Sequence, residues 1–451
     1  MQRIKKILYE TIYGSEHILN KKVIFMIIHV VEENQTLYTI ANEYGVNVQR
    51  LAYDNQLALE DSLVVGQALV VLVPDTIHRV EVGDTIISIA EQYQVEPLKI
   101  YQNNPYLLFN PVLIAGEYLV ISFEGEQSEN IYVDGYVYPY VNNQVLQETL
   151  LYLTSLSIFS YGFTEEGELI TIDDEELIAT CQQFGVIPIL VLTPFDSSGV
   201  FSNQLVNALV ENDEVQQRLI ENVLRTIEQK GYAGVNIDFE YVLPEDRERY
   251  VTFVQKMHDA LSPFGYLVSV CLAPKVSIDQ RGLLYEGIDY RGLGEAADYV
   301  LCMTYEWGYT YGPAMAVSPI NKVREVLDFA VSQIEPSKIL MGMSNYGYDW
   351  ALPYVRGESK AVTISNVQAI DIARNNNAEI QFDEVAQAPF FNYMVDGVEH
   401  EVWFEDARSI RARLELVPEY GLKGVGYWQL MKLFRQNFMV LNNEYDIERV
   451  F

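Results

Sequence analysis

The sequence predicts an α/β protein with a (β/α)8 barrel, a small α+β insertion before the last strand of the barrel, and two small βααβ modules at the N-terminal side. Three observations carry this prediction. Two stretches of about 45 residues near the start of the chain repeat each other. Eight short apolar runs follow, with helical patterns between most of them, which is typical of a barrel of parallel strands. The segment 351–404 is too long for a single crossover and therefore indicates an insertion.

Composition narrows the class of protein. The chain has 451 residues, 49% of them hydrophobic, and a formal net charge of −33. We do not expect so acidic a chain to bind nucleic-acid phosphates or an anionic membrane surface, because both kinds of binding need clustered Lys and Arg. No apolar stretch reaches the ~20 residues of a membrane-spanning helix, so we expect no membrane insertion.

Cysteine and histidine usage predicts no metal and no other cofactor. Cys181, Cys271 and Cys302 lie far apart, and the last two sit inside apolar runs. No pair has metal-ligand spacing, and the five histidines form no HExxH-like cluster. We therefore expect the three cysteines to be small core residues.

Residues 1–25 precede the first repeat and are interpreted as an N-terminal extension or an over-long start. The segment from Lys21 to Val31 resembles a short signal core. Its apolar part, however, runs on into the first repeat, and no small-residue cleavage site follows. A classical signal peptide is therefore not expected.

The repeat defines the two modules, 26–74 and 76–122. "HVVEENQTLYTIANEYGVNVQRLAYDN" from His29 aligns without a gap on "HRVEVGDTIISIAEQYQVEPLKIYQNN" from His78. The pieces "VVGQALVV" and "LIAGEYLVI" then align with one inserted residue. Each copy predicts a strand, a turn, a helix, a second helix ending in Asn, and a closing strand. The polar stretch 123–130 is predicted to be the linker to a barrel spanning 131–451.

This pattern, with "GDT" at 83–85 and Asn at 55 and 104, resembles the LysM family. The resemblance implies binding of peptidoglycan, chitin or another glycan containing N-acetylglucosamine, in a shallow groove beside the first strand–helix loop. The implied glycan-binding residues are Gly83, Asp84, Thr85, Asn55 and Asn104. The first copy has "ENQT" in place of "GDT", so a purely structural role for one copy remains an alternative.

The eight predicted barrel strands are apolar runs that end near polar or aromatic residues. They cover 132–140, 153–163, 186–194, 234–240, 267–274, 299–307, 339–350 and 424–430.

The run "GVNIDFE", 234–240, carries the candidate catalytic residues. Alternate residues of a strand share a face, so Asn236, Asp238 and Glu240 are predicted to point into the barrel, with Glu240 at its mouth. Buried carboxylates are costly unless they are paired or used. The alternative is that the three polar side chains pair with basic residues and only stabilise the core. Near the mouth, the other predicted strands offer no basic residue except Lys275, so a catalytic site is favoured.

Glu240 is predicted to be a proton donor. Burial and the like charge of Asp238 both oppose its ionisation and raise its pKa, which suits a group that protonates a glycosidic oxygen. Asp238 approaches from the same side and is badly placed to attack the sugar from the other. A substrate with a 2-acetamido group brings its own nucleophile, the carbonyl oxygen, while Asp238 orients the acetamido N–H.

Three separated motifs resemble glycoside hydrolase family 18: "GVNIDFE", "MTYEW" at 303–307 and "GVGYWQL" at 424–430. The resemblance implies a catalytic pair, Glu240 and Asp238, and a substrate-binding set that begins with Tyr305 on the acetamido carbonyl. Trp428 is implied as the floor. The remaining substrate-binding candidates are Asn236, Met303, Glu306, Tyr136 and Tyr346. Ala233 and Asn236 replace two acids of the family signature, and we expect Asn236 to donate to Asp238 and keep it ionised.

The Asn-containing motif and the two LysM copies are similar to the germination and cortex-fragment-lytic enzymes of spore-forming Firmicutes. That resemblance implies an N-acetylglucosaminidase acting on spore cortex peptidoglycan. It also implies synthesis in the mother cell and deposition in the coat or cortex region without a classical signal peptide. The alternatives are a chitinase or chitooligosaccharide hydrolase, and a catalytically silent glycan-binding protein of the spore coat. Endo or exo cleavage and the oligomeric state stay open.

Overall fold

The structure is a computed structural model that describes residues 26–125, 129–195, 199 and 201–450. The predicted extension, 1–25, lies outside the described residues, as does the middle of the predicted linker, 126–128.

Each N-terminal module is the predicted βααβ unit. The first contains β1 (Ile27–Val30), α1 (Leu37–Tyr44), α2 (Val48–Asp54) and β2 (Ala68–Val71), and the second contains β3 (Pro74–Arg79), α3 (Ile86–Tyr93), α4 (Pro97–Asn103) and β4 (Tyr118–Phe123). The first and last strands of each module pair antiparallel. Thr36 and Thr85 cap α1 and α3 with the same reciprocal hydrogen bonds, which satisfy free N–H groups of the first helical turn.

Eight parallel strands of the described chain close into a barrel. They are β5 (Asn130–Val137), β6 (Ser155–Phe163), β8 (Ile187–Leu192), β9 (Gly234–Ile237), β10 (Leu267–Leu272), β11 (Tyr299–Cys302), β12 (Ile339–Ser344) and β18 (Gly424–Trp428). Each pairs in parallel with the next, and β5 pairs with both β6 and β18, which closes the sheet. Two-residue strands, β7 (Leu169–Ile170) and β19 (Asp446–Ile447), extend β6 and β5.

Helices surround this barrel and bury their apolar faces on it. They are α5 (Asn143–Leu150), α6 (Glu175–Gln183), α7 (Asn203–Val210), α8 (Asp213–Lys230), α9 (Arg247–Leu261), α10 (Tyr290–Ala296), α11 (Ile320–Gln333), α13 (Ala407–Leu414), α14 (Leu416–Tyr420) and α15 (Arg435–Glu444). The apolar residues on the outer face of β9, Val235 and Ile237, belong to the large core between strands and helices.

The insertion between β12 and β18 is a five-stranded antiparallel sheet with one helix. It contains β13 (Gly347–Ala351), β14 (Val362–Ile364), α12 (Asn366–Asn375), β15 (Gln381–Asp383), β16 (Ala388–Val395) and β17 (Val398–Trp403). The predicted single strand 339–350 is therefore wrong, because the chain leaves the barrel after Ser344 and begins the second sheet at Gly347. The insertion therefore starts six residues earlier than its predicted boundary, at Asn345, and its first strand begins at Gly347.

Candidate active site

The candidate catalytic residues lie just past the end of β9, not within it. The strand ends at Ile237, so its predicted continuation through 240 is wrong. The chain nevertheless stays in register for one more residue, since the Asp238 N–H donates to Leu192 O at 2.9 Å. Phe239 remains in the outer core. Asp238 and Glu240 therefore still face the mouth of the barrel, as the alternation predicts.

A cavity of about 310 Å³ opens at this mouth. Of the predicted residues, seven line it: Tyr136, Asp238, Glu240, Met303, Tyr305, Glu306 and Trp428. Asn236 lies below the cavity, fully buried, and Tyr346 stands behind Glu306. The carboxylates share the cavity with aromatic and aliphatic side chains, and no Lys or Arg is among its lining residues.

Asp238 is buried, and its Oδ1 atom has no hydrogen-bond partner among the described residues. Burial raises the pKa of this carboxyl, and the thiol of Cys271 opposes the rise only in part. An unpaired buried carboxylate oxygen is costly in a folded protein, and such atoms mark functional sites. Asp238 can therefore accept a hydrogen bond from a group that enters the cavity.

The expected hydrogen bond from Asn236 to Asp238 is wrong. The Asn236 amide nitrogen donates to Ser269 Oγ at 2.9 Å, and its Oδ1 accepts from Cys271 Sγ at 3.2 Å. Asn236 thus links β9 to β10. It does not offset the effect of burial, which raises the pKa of Asp238. All three cysteines are buried and free, as predicted, but Cys271 also lines the cavity beneath Asp238.

Glu240 has the raised pKa that the sequence predicts. Burial is the largest cause, followed by the like charge of Asp238 and then by that of Glu306. A carboxyl group in this environment retains its proton near neutral pH and can act as a general acid.

Two tyrosines of the insertion hold Glu306. The Tyr346 hydroxyl donates to Glu306 Oε1, and the Tyr348 hydroxyl reaches Oε1 at 3.0 Å and Oε2 at 3.3 Å. Glu306 has a positive φ of 67°, an uncommon conformation for a residue with a side chain. The insertion therefore positions a third carboxylate on the cavity wall, and Tyr346 acts on Glu306 instead of lining the cavity.

Aromatic rings form the floor and one side of the cavity. The Trp428 ring packs edge-on against Phe159 at 5.0 Å between centroids, and Tyr136 lies at 5.8 Å. The cavity also contains Tyr138, Phe195, Phe201, Pro274, Leu284, Tyr285 and Trp307, none of which was predicted as a site residue. Most of these side chains resemble core residues in the sequence, although Tyr138 lies near the end of a predicted strand and Trp307 closes the motif "MTYEW".

Among the residues that the structure describes, the carboxylates of the cavity do not pair with basic residues, which the structural alternative required. Lys275 is buried, but its ammonium group donates to the carbonyl of Ile288 at 3.0 Å, and the residue is not among those that line the cavity. The acids of the cavity are thus left without a basic partner among its lining residues.

The predicted glycan residues of the second module fall into two groups. Gly83, Asp84 and Thr85 lie on the strand–helix loop, where Asp84 accepts from His78 at 2.8 Å and from the Glu81 N–H at 2.6 Å. These hydrogen bonds, the backbone one first, lower the pKa of Asp84. In the first module Gln35 occupies the same place, accepting from His29 at 2.8 Å, so the fold of the loop survives the loss of charge.

Asn55 and Asn104 are buried inside their modules. Asn104 donates to Ile100 O at 2.9 Å and to Val120 O at 2.7 Å, and accepts from the Val120 N–H at 3.0 Å. Asn55 makes the equivalent bonds with Leu51 and Val70. The two asparagines thus fix the closing strand to the second helix, and their assignment as glycan-binding residues stays a prediction.

Two further features bear on partners. Within the parts of the chain that the structure describes, no helix combines the length and the apolar character needed to span a membrane. Among the same residues, no group of three or more His, Cys, Asp or Glu side chains is placed to hold a metal ion.

Known proteins share this architecture over nearly the whole chain. The family model for glycosyl hydrolases family 18 matches residues 199–432, and the LysM domain model matches 29–72 and 78–122. The cortical fragment-lytic enzymes of Bacillus subtilis (strain 168) and Bacillus anthracis are 38% and 37% identical, over 94% and 93% of this chain and 99% and 98% of their own.

Among solved structures, the spore cortex-lytic enzyme SleL of Bacillus megaterium QM B1551 is 35% identical. It covers 95% of this chain and 100% of its own, with a TM-score of 0.81. A closed parallel barrel with acidic residues at its mouth, and relatives of this identity along almost the full length, give one conclusion: the chain is a glycoside hydrolase that belongs to glycosyl hydrolases family 18 and carries two LysM domains at its N-terminal side.

Proposed function

We propose that the protein hydrolyses spore cortex peptidoglycan as an N-acetylglucosaminidase, with Glu240 as acid and base and Asp238 as the partner of the substrate acetamido group. The observation that carries the proposal is the buried, unpaired Oδ1 atom of Asp238 beside a carboxyl group whose pKa is raised. The names of the relatives, cortical fragment-lytic and spore cortex-lytic enzymes, support the choice of substrate.

The first step breaks the glycosidic bond. Glu240 donates its proton to the glycosidic oxygen, so the leaving sugar departs as a neutral alcohol. The acetamido carbonyl oxygen attacks the anomeric carbon from the opposite side and forms a cyclic oxazolinium. Asp238 accepts a hydrogen bond from the acetamido N–H and stabilises the positive charge that develops there. Burial keeps this interaction strong because little water competes for it.

The second step restores the configuration of the sugar. Glu240, now ionised, takes a proton from a water molecule as that water attacks the anomeric carbon. The oxazolinium opens, and the acetamido group returns to its starting form. Two inversions at one carbon give net retention.

The remaining cavity residues position the sugar. Tyr305 is buried, and burial raises the pKa of its hydroxyl well above 10, so it stays a hydrogen-bond donor for the acetamido carbonyl. Trp428 offers an aromatic face beneath the ring, supported by Phe159 and Tyr136. Stacking of this kind suits the apolar face of a pyranose.

The partner is therefore a glycan that contains N-acetylglucosamine, held by the barrel and by at least one LysM domain. We place the protein at the spore, as its relatives' names indicate.

Product analysis by mass spectrometry tests this proposal. Purified cortex fragments and chitin oligomers are offered to the protein and to its Glu240→Gln variant, with Glu306→Gln as a matched control on the same cavity. We expect fragments ending in N-acetylglucosamine from cortex, no products from Glu240→Gln, and reduced but measurable turnover by Glu306→Gln. Faster cleavage of chitin would instead identify a chitinase, and full activity of Glu240→Gln would remove the assigned acid.

A further inference from the structure

We propose that the two LysM domains have different tasks: the first is an internal docking module that binds the barrel's own insertion, and the second holds the glycan strand. The ligand class rests on the proposed function. The groove of each domain is here the strand–helix loop together with the loop before the closing strand, 31–36 with 62–67 in the first copy and 80–85 with 112–117 in the second. The two loops are joined in both copies, by Gly66 N to Val31 O and by Gly116 N to Val80 O, each at 2.8 Å.

The groove of the first copy is covered by the insertion and by α13, the barrel helix that follows it. The Ile380 N–H donates to Val65 O at 2.9 Å, Arg374 Nε donates to Ser62 O at 2.9 Å, and Arg408 Nη2 donates to Gly66 O at 3.1 Å. These three carbonyls belong to one loop of the groove. The backbone that would face a glycan is thus engaged by another part of the same chain.

Close approach at Gly66 shows how tight this contact is. A Cβ atom on Gly66 would lie 1.8 Å from Ile380 O, whereas the nearest atom to a Cβ on the equivalent Gly116 would be Arg79 Nη2 at 3.8 Å. Both glycines have a positive φ, 83° and 97°, so the loops have the same conformation. The difference between the copies is therefore the neighbour and not the loop itself.

Side chains at equivalent positions are buried in the first copy and exposed in the second. Ala68 is 2% exposed where the second copy has Tyr118 at 60%, and Val64 is 6% exposed where the second copy has Ile114 at 59%. The small residue at 68 leaves room for Gln436, whose amide nitrogen donates to Ala68 O at 2.8 Å. A tyrosine there would occupy the space that α15 fills.

The space left between the first copy and the insertion, about 760 Å³, does not suit an anionic glycan. Glu32, Glu33 and Glu379 line it, and its two arginines, Arg374 and Arg408, already donate to the carbonyls of the module. Its arginines are therefore not free to pair with the carboxylates on the peptide stems of peptidoglycan.

The groove of the second copy is open and apolar at its rim. Val82 is 95% exposed, and the other exposed apolar side chains around the loop are Ile87, Val112, Ile114 and Tyr118. Isolated exposed apolar residues are ordinary, but a cluster of them beside one loop suits the faces and acetamido methyls of sugar rings. This module docks through α4 on its other side, where Gln102 donates to Leu151 O at 2.8 Å and Asn442 donates to Asn103 Oδ1 at 2.9 Å.

Retention of the full chain on insoluble peptidoglycan tests the division of tasks. All proteins carry Glu240→Gln, so the matrix is not digested. One variant adds Val82→Ser and Ile87→Ser, and the matched variant adds Glu33→Ser and Tyr38→Ser at the equivalent exposed positions of the first copy. We expect affinity to fall about tenfold or more in the former and less than about twofold in the latter.

A similar loss in both variants, or a loss confined to the first copy, would overturn the inference. Absence of retention for the parent protein would overturn it together with glycan binding by the LysM domains. The hydrolysis of soluble cortex fragments is measured separately, so failure of the catalytic proposal remains distinguishable.

Hydrogen exchange tests the docking without any ligand. Ala68→Tyr introduces the residue of the second copy, and Tyr118→Ala is the reverse change. We expect faster exchange at the Val31 and Gly66 amides in Ala68→Tyr and no change in Tyr118→Ala. The double variant Arg374→Ala and Arg408→Ala gives the same comparison if Ala68→Tyr does not fold. Unchanged exchange in a folded docking variant would contradict the proposed role of the first copy.

Discussion

Replacement of Asn104 by Ala separates a structural role from a glycan contact. The side chain is fully buried and makes three hydrogen bonds to backbone groups, Ile100 O, Val120 O and the Val120 N–H, besides accepting a longer one from the Tyr106 hydroxyl at 3.4 Å. Alanine leaves three backbone groups without these partners, at a cost of ~1–3 kcal/mol each. Water can enter the space left by the amide, so we take the lower part of that range, ~1–1.7 kcal/mol for each group, and expect local destabilisation of about 3–5 kcal/mol.

Hydrogen exchange of β4 in the full chain is the suitable assay, because a multidomain protein has no single unfolding free energy. The expected loss corresponds to exchange that is faster by about a hundredfold to a few thousandfold at Leu119, Val120 and Ile121. Asn110→Ala, an exposed asparagine of the same module, is the control and should change exchange little. Unaltered protection of β4, combined with lost glycan binding, would refute the reasoning and restore Asn104 as a glycan contact.

Three further predictions concern carboxyl groups of the barrel. In Asp238→Asn, the residual kcat/KM should begin to fall on the alkaline side at a lower pH than in the parent, because removal of a like charge lowers the raised pKa of Glu240. An unchanged alkaline limb of the pH profile would exclude that coupling. Glu306→Gln should shift the same limb in the same direction but less, since Glu306 is the smaller of the two charge effects; a shift larger than that of Asp238→Asn would contradict this order. Burial raises the pKa of Asp134 to about 7, so its contribution to stability is complete below about pH 4 and is lost as pH rises through about 7. The melting temperature of Asp134→Asn relative to the parent should therefore increase between those pH values, by an amount that corresponds to at most ~4 kcal/mol, and a constant difference would contradict the assignment.

The barrel, and the position of Asp238 and Glu240 at its mouth, could be predicted from the sequence because both depend on local patterns. Alternation along 234–240 places Asp238 and Glu240 on the inner side, whether or not the strand formally extends that far. The raised pKa of Glu240 follows from burial and a neighbouring like charge, which a two-residue spacing already implies.

Other parts of the site depend on contacts between distant segments. The direction of the Asn236 amide is set by Ser269 on the neighbouring strand, and the hold on Glu306 by Tyr346 and Tyr348 of the insertion. The residues of each pair lie far apart in the sequence, so no local pattern predicts that they contact one another. Phe195 lies far from β18 in sequence yet shares a cavity with Trp428, and it resembles an ordinary core residue.

The two modules show the same limit. Their aligned sequences predict one fold, and the structure confirms it, but Ala68 and Tyr118 differ because one faces α15 and the other faces solvent. The contrast between Gln35 and Asp84 drew attention in the sequence, although both side chains make the same hydrogen bonds. The two modules differ at the surface of the first module that contacts the barrel, and no local sequence pattern predicts that contact.

The central claim is that the substrate's own acetamido group supplies the nucleophile while Glu240 moves the proton. It is tested most directly by the initial rates of hydrolysis of two matched oligosaccharides that differ only in the N-acetyl group of the sugar at the cleaved bond. We predict turnover of the N-acetylated substrate and a rate lower by about a thousandfold or more for the free amine. Comparable rates for the two substrates would contradict the mechanism.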